Sequence, residues 1–218
     1  MDSEKKKYTI SIIEDSKIHK EWLLVELSTL DNINVVSVES LGRDGIKRVK
    51  HYNPDMVLID FQLEDMTGLE VSRRIKAYNN NVKVFALTAH TEISIIERIL
   101  NDKNIDALAV KGSRYFELNF LLAVTSVLEG GTYLDPSLLI NLRAFGNSSG
   151  LNQLTKREFE IFVQYSSGKA EIKIATDLCV ELAHVRNLKS RISKKLKNYN
   201  IDNLITKLEW NSHPDMDR

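Results

Sequence analysis

Five short apolar runs rich in Val and Ile, separated by longer segments with apolar residues at helical spacing, constrain this chain more than any other feature. They are Tyr8 to Ile13, Ile33 to Val38, Met56 to Ile59, Val82 to Leu87 and Ala107 to Val110. Strands covered on both faces read as continuous hydrophobic runs, and parallel strands joined by crossover helices are covered in this way. The pattern predicts a doubly wound (βα)5 parallel sheet of the α/β class. Helices are expected over Lys17 to Leu30, Gly68 to Tyr78 and Ser94 to Leu100. A closing helix is expected over Phe116 to Leu128, burying a face of Leu118, Leu121, Leu122, Thr125 and Leu128.

The strand-like runs stop after this helix. Small and polar residues in GGTYLDPSLL and in GNSSG, Gly146 to Gly150, read as a linker without a packed element. The domains are therefore set at 1–131 for the α/β unit, 132–152 for the linker and 153–218 for a small all-α unit. In the last, Thr155 followed by Glu158 forms a capping box that opens a helix ended by Gly168. A short helix from Glu171 to Leu178, a turn at Cys179 to Leu182, a helix from Ala183 to Tyr199 and a last one over Asp202 to Trp210 follow.

Thirty basic residues balance thirty acidic ones, so net charge selects no partner. Cys179 is the sole cysteine, which excludes an intrachain disulfide and a cysteine zinc site and suits a reducing cytosol. It reads as a small core residue. The N-terminal MDSEKKKYTI has no signal-peptide core, and no stretch has the length of a membrane span, so a cytoplasmic protein without membrane partners is expected.

Open parallel α/β sheets bind ligands beyond the carboxyl ends of their strands. There the runs end in Glu14 and Asp15, Asp60, Thr88 and Lys111. Converging carboxylates repel unless a divalent cation joins them, and oxygen donors suit Mg²⁺. One carboxylate can then act as a nucleophile toward phosphorus. Asp60 is the candidate, with Lys111 offsetting phosphoryl charge and Thr88 donating a hydrogen bond. Any one of these acids alone would be an ordinary cap or turn residue; the coincidence of five such residues at four strand ends carries the specificity.

With these residues in place, Tyr8 to Gly131 resembles the receiver domain of bacterial response regulators. The resemblance rests on Glu14-Asp15, VLIDFQLEDMTGLE around Asp60, LTA at Leu87 to Ala89 and VKG at Val110 to Gly112. It implies phosphorylation of Asp60 by a sensor histidine kinase, and Mg²⁺ held by Glu14, Asp15, Asp60 and the backbone carbonyl of Gln62. Gly68 matches the glycine of the following loop and Ala89 the small residue that keeps the pocket open. Two positions depart from the family: Glu64 stands where proline is usual, and Leu108 where a switch aromatic is usual.

In the helical unit, RNLKSRISKKLK from Arg186 to Lys197 carries six basic residues and no acid. Val185, Leu188, Ile192 and Leu196 supply an anchoring stripe. Such a helix fits the major groove of double-stranded DNA. Leu154 to Trp210 resembles the DNA-binding domain of NarL/FixJ (LuxR-type) regulators through LTKREFEIF, Gly168, Ile174-Ala175, Val185-Arg186 and ISKKL. The usual Thr-Val-Lys-x-His is replaced by His184 to Leu188. Arg186 and Asn187 are candidates for base edges, and Lys189, Ser190 and Lys194 for phosphates. His184 reads as a capping residue, Glu158 as a structural brace, and Trp22 and Trp210 as core or interface. By the same resemblance, Ile201, Leu204, Ile205 and Leu208 would form a dimer surface.

The combined expectation is a non-enzymatic transcription regulator controlled by phosphorylation, homodimeric when active, with room for contact with RNA polymerase. Two alternatives stay open: a regulator acting independently of phosphorylation, and a protein-interaction adaptor that no longer reads DNA. A haloacid-dehalogenase-type hydrolase would need a second Asp two residues after Asp60, where Gln62 stands.

Overall fold

The computed structural model describes residues 6–145 and 150–197. The expectations for 146–149, Tyr199, Ile201 and 202–210 therefore lie outside the described residues. The chain divides into two compact units, one of residues up to 89 with 104–112, the other of 90–103 and the chain from 113 onward.

The first unit holds β1 (Tyr8–Ile13), α1 (Lys17–Leu27), β2 (Ile33–Glu39), α2 (Gly42–Tyr52), β3 (Met56–Asp60), α3 (Gly68–Tyr78), β4 (Lys83–Thr88) and β5 (Ala107–Val110). The strands lie in the order β2-β1-β3-β4-β5, with each of these pairings parallel. Ile10, Ile12, Met56, Val57, Leu58, Val84, Phe85 and Ala109 are fully buried. Their burial on both sheet faces is why the runs are unbroken in sequence. Register then positions the polar ends: Ile13 pairs with Ile59, so Glu14 and Asp60 leave adjacent strands side by side. Thr88 pairs with Val110, which sets Lys111 one residue beyond.

The loop after β3 is closed by its own backbone. Gln62 bridges to Thr67, and the Gly68 amide donates to the Phe61 carbonyl at 2.7 Å. A β-carbon on Gly68 would lie 2.8 Å from the Asp60 carbonyl oxygen, so only glycine fits without shifting the acceptor's own backbone. Asp65, later in this loop, accepts from the amides of Gly42 at 2.8 Å and Arg43 at 3.0 Å, capping the start of α2. These two bonds hold its carboxyl below the ordinary carboxylate range against the opposing effect of burial.

The second unit holds α4 (Ile93–Leu100), α5 (Arg114–Leu128), β6 (Tyr133–Leu134), α6 (Pro136–Phe145), a 3-10 turn (Leu151–Gln153), α7 (Lys156–Ser166), α8 (Glu171–Asp177) and α9 (Leu182–Leu196). The expected face of α5 is corrected: Phe116, Phe120, Ala123, Val124, Val127 and Leu128 are buried, whereas Leu118 is 73% and Leu122 43% exposed. The helix is apolar on most sides, so its leucines did not mark the inward one. The stretch read as a bare linker also carries structure. Tyr133, Leu134, Leu138, Leu139 and Leu142 are buried in β6 and α6. Pro136 occupies the first helical position, where its missing N–H costs nothing. Asp135 ahead of it accepts from the Ser137 amide at 2.9 Å.

In α7 the capping box is formed by Thr155 and Glu158. Gly168 takes a φ of 78°, and its amide donates to the Tyr165 carbonyl as the Lys169 amide donates to the Gln164 carbonyl, the pair of hydrogen bonds of a Schellman end. Cys179 is a correction. Rather than filling the core it is exposed, with φ 51°, and closes α8 by the same device: its amide donates to Thr176 and that of Val180 to Ala175. The helix-turn corner demands a left-handed residue there. His184 is likewise displaced from the cap, because α9 begins at Leu182 behind Glu181. Trp22 is partly buried on α1, and Trp210 lies outside the described residues. No helix among the described residues is long and apolar enough to cross a membrane.

Candidate functional site

The first candidate site lies at the carboxyl ends of β1, β3, β4 and β5. Carboxylate oxygens of Glu14, Asp15 and Asp60 come within 4.8 Å of one another. Lys111 joins two of them: its Nζ is 2.8 Å from Glu14 Oε2, 3.0 Å from Glu14 Oε1 and 2.7 Å from Asp60 Oδ2. Glu14 is fully buried and Asp60 nearly so, at 7% exposure, so water does little to screen this cluster. Burial raises the Glu14 pKa above the ordinary value, the Lys111 bond opposes the rise, and the Asp60 charge adds to it. One lysine against three acids leaves the pocket short of positive charge.

The donors fit a hard divalent cation. They are all oxygens, and Glu14 Oε2 is buried without a donor in hydrogen-bonding geometry even though Lys111 Nζ is close. Asp60 also accepts from the Gln62 amide at 3.2 Å, which turns the loop carrying the Gln62 carbonyl around the acceptor. Thr88 is fully buried at the end of β4, and its carbonyl accepts from the Lys111 amide at 2.8 Å. This bond fixes the backbone from which Lys111 reaches the acids. His19, absent from the sequence-derived set, lies on α1 with Nδ1 3.7 Å from Glu14 Oε1.

The second candidate site is α9. Val185, Leu188, Ile192 and Leu196 are buried, as their spacing predicts. Asn187, Ser190, Arg191 and Lys194 are exposed at i, i+3, i+4 and i+7, which places them on one face. Arg191 was not among the candidate contacts and belongs with them by position. Arg186 and Lys189 are engaged differently: Arg186 Nε lies 2.9 Å and Lys189 Nζ 2.8 Å from the two oxygens of Glu171 on α8. Lys195 donates to the buried Glu158 at 2.6 Å and to the Gln153 carbonyl at 3.2 Å, so it braces the helices rather than facing outward. Glu158 thus acts as the structural brace expected of it, whereas Glu171 was not visible as a partner in sequence, since it lies far along the chain from Arg186 and Lys189.

Residues 10–114 match the response regulator receiver domain family. Over this stretch the chain carries a receiver domain, and the relatives that it matches over most of its length are response regulators. It is 27% identical to the response regulator protein VraR of Staphylococcus epidermidis over 190 residues, which cover 86% of this chain and 90% of that protein. VraR of Staphylococcus aureus is 26% identical over the same length. In structure the chain resembles RcsB of Salmonella typhimurium with a TM-score of 0.59 and 18% identity, covering 93% of this chain and 98% of that one. A LuxR-family response regulator from Aurantimonas gives a TM-score of 0.58 at 16% identity, covering 64% of this chain and 97% of the other. These likenesses establish the fold, a receiver with a parallel sheet followed by a helical region.

Proposed function

We propose that this response regulator is a transcription factor switched by phosphorylation of Asp60, with α9 as its DNA-reading helix. The observation that carries the reading is the bridge of Lys111 between Glu14 and Asp60 at the strand ends, a nucleophile and its counter-charge held in one buried pocket. A sensor histidine kinase is the donor. An Asp60 carboxylate oxygen attacks phosphorus, an O–P bond forms as the bond from phosphorus to the donor breaks, and the donor nitrogen leaves with the electron pair. Lys111 moves from the carboxylate to the new phosphoryl oxygens, and the Thr88 hydroxyl donates to another. Glu14, Asp15, Asp60 and the Gln62 carbonyl would hold Mg²⁺, which when bound neutralises charge building on the phosphoryl group.

On the output side, Asn187 and Arg186 face base edges while Lys189, Ser190 and Lys194 face phosphates. RcsB of Salmonella enterica serovar Typhimurium, whose fold this chain shares, has been captured on the promoter rprA with the phosphomimetic BeF3⁻. The functional division places the receiver at 1–131, the connector at 132–152 and the output unit at 153–218. The active form is a homodimer in the cytoplasm, regulating transcription rather than turning over a metabolite, with RNA polymerase as a further partner.

The test is acetyl-phosphate labelling followed by intact-mass measurement. Wild type gains one phosphoryl group and Asp60→Asn gains none; labelling that persists in the variant overturns the assignment. A second reading, DNA binding without phosphate, is favoured by Leu108, which is buried at 2% exposure in β5 where an aromatic relay would stand. Equal DNA affinity with and without beryllofluoride and Mg²⁺ would select it. Binding lost entirely at moderate salt would select the adaptor reading instead.

A further inference from the structure

The two cations that project from α9 beside Asn187 are both bound to one carboxylate. Glu171, at the start of α8, offers one oxygen to Arg186 at 2.9 Å and the other to Lys189 at 2.8 Å, and the Tyr165 hydroxyl donates to it at 3.2 Å. The Glu171 side chain is 23% exposed and that of Lys189 only 18%, so this is a partly desolvated cluster rather than a chance surface pair. Lys189 also lies 5.4 Å from the centre of the Tyr165 ring, which confines its ammonium from another side. Burial alone would raise the Glu171 pKa; the bonds from Lys189 and Arg186 outweigh it and keep the acid ionised.

Two cationic donors converge on this carboxylate, an arrangement that would suit a phosphate equally well. We propose that Glu171 is a specificity-determining residue: it holds Arg186 and Lys189 back from unspecific polyanions, and a cognate DNA site must displace it to gain them. This deepens the reading of α9 as the DNA-facing helix and rests on it. The face left for first encounter is Asn187, Ser190, Arg191 and Lys194, in which Arg191 and Lys194 make no ion pair among the described residues. Unspecific affinity is therefore set by fewer charges than the sequence displays. Recognition gains contacts only where the groove geometry lets a phosphate or base edge replace the acid.

The experiment titrates the full chain and Glu171→Gln with a random-sequence duplex between about 50 and 200 mM salt. The amide keeps the size of the side chain and removes the charge. Glu171→Gln is expected to bind this duplex about fivefold more tightly, with a salt dependence steeper by up to about 1.8 in log–log slope, as two more phosphates are contacted. Unchanged or weaker binding, with helicity retained by circular dichroism, overturns the proposal. Should the variant lose its helicity, Glu171→Ala in the same titration decides: tighter unspecific binding with a steeper salt dependence supports the proposal, and unchanged or weaker binding refutes it. Elution from heparin separates this idea from the reading beneath it. Later elution of Glu171→Gln when neither protein binds any duplex leaves the restraint standing and removes DNA as its object; co-elution of the two proteins removes the restraint itself.

Discussion

The receiver pocket and the output helix are built as inverted versions of one arrangement. In the pocket, a single lysine, Lys111, is shared by Glu14 and Asp60 with Asp15 beside them. Between α8 and α9, a single carboxylate, Glu171, is shared by Arg186 and Lys189. Each cluster carries an excess of one sign, and that sign suits the ligand proposed for it: a cation and an electrophilic phosphoryl group at the first, an anionic polymer at the second. They differ in burial. Glu14 is fully buried, while the Arg186 side chain is 62% exposed, so charge is far more costly to leave uncompensated in the pocket than on the helix.

Removing one member from each cluster should have effects of unequal size. The largest effect belongs to Lys111→Met, which leaves buried acids facing each other without their lysine. Urea unfolding in the absence of divalent ions should show a loss of about 3–5 kcal/mol, the range for breaking a buried pair. A loss below about 1 kcal/mol would mean that the pocket is as well hydrated as the helix.

Next comes Glu158→Gln, in the bracing pair with Lys195. It weakens a buried charged hydrogen bond and should cost about 1.5–3 kcal/mol. Burial alone would raise the Glu158 pKa, but the Lys195 and Thr155 bonds hold it below the ordinary value of 4.5. Its contribution is therefore present above that value and is lost as pH falls through the lowered folded-state value. Unfolding series on the acid side should show this dependence in wild type and a shallower one in Glu158→Gln. The smallest effect is expected from Arg186→Met, at most about 1 kcal/mol, since an exposed pair is screened by solvent. A cost there equal to that of Lys111→Met would collapse the contrast.

Much of the receiver was legible in the residues because its constraints are local. Buried parallel strands must be apolar throughout, and β1 and β5 fall where their runs predict, as do the polar residues that follow them. The misreadings came where neighbours in space decide. Alpha-helix α5 is apolar on several sides, so only packing could choose Phe120 over Leu122. The segment 132–152 looked small and polar overall, yet Pro136 behind Asp135 opened a helix whose leucines had a face to cover. Cys179 was judged by its usual preference for the core, whereas the end of α8 required a left-handed corner. Glu171 gave no local signal, because its partners lie 15 and 18 positions away on another helix.

The bonds from Gly42 and Arg43 to Asp65 join the acceptor loop to α2 across 23 and 22 positions of sequence. Those two amides are held by a side chain rather than by a helical carbonyl, so their exchange with solvent deuterium is governed by the loop that begins at Asp60. They are a built-in isotopic gauge of that loop. A phosphoryl group that tightens it slows their labelling and one that loosens it quickens them, which allows the state of the receiver to be followed without DNA, partner or dye.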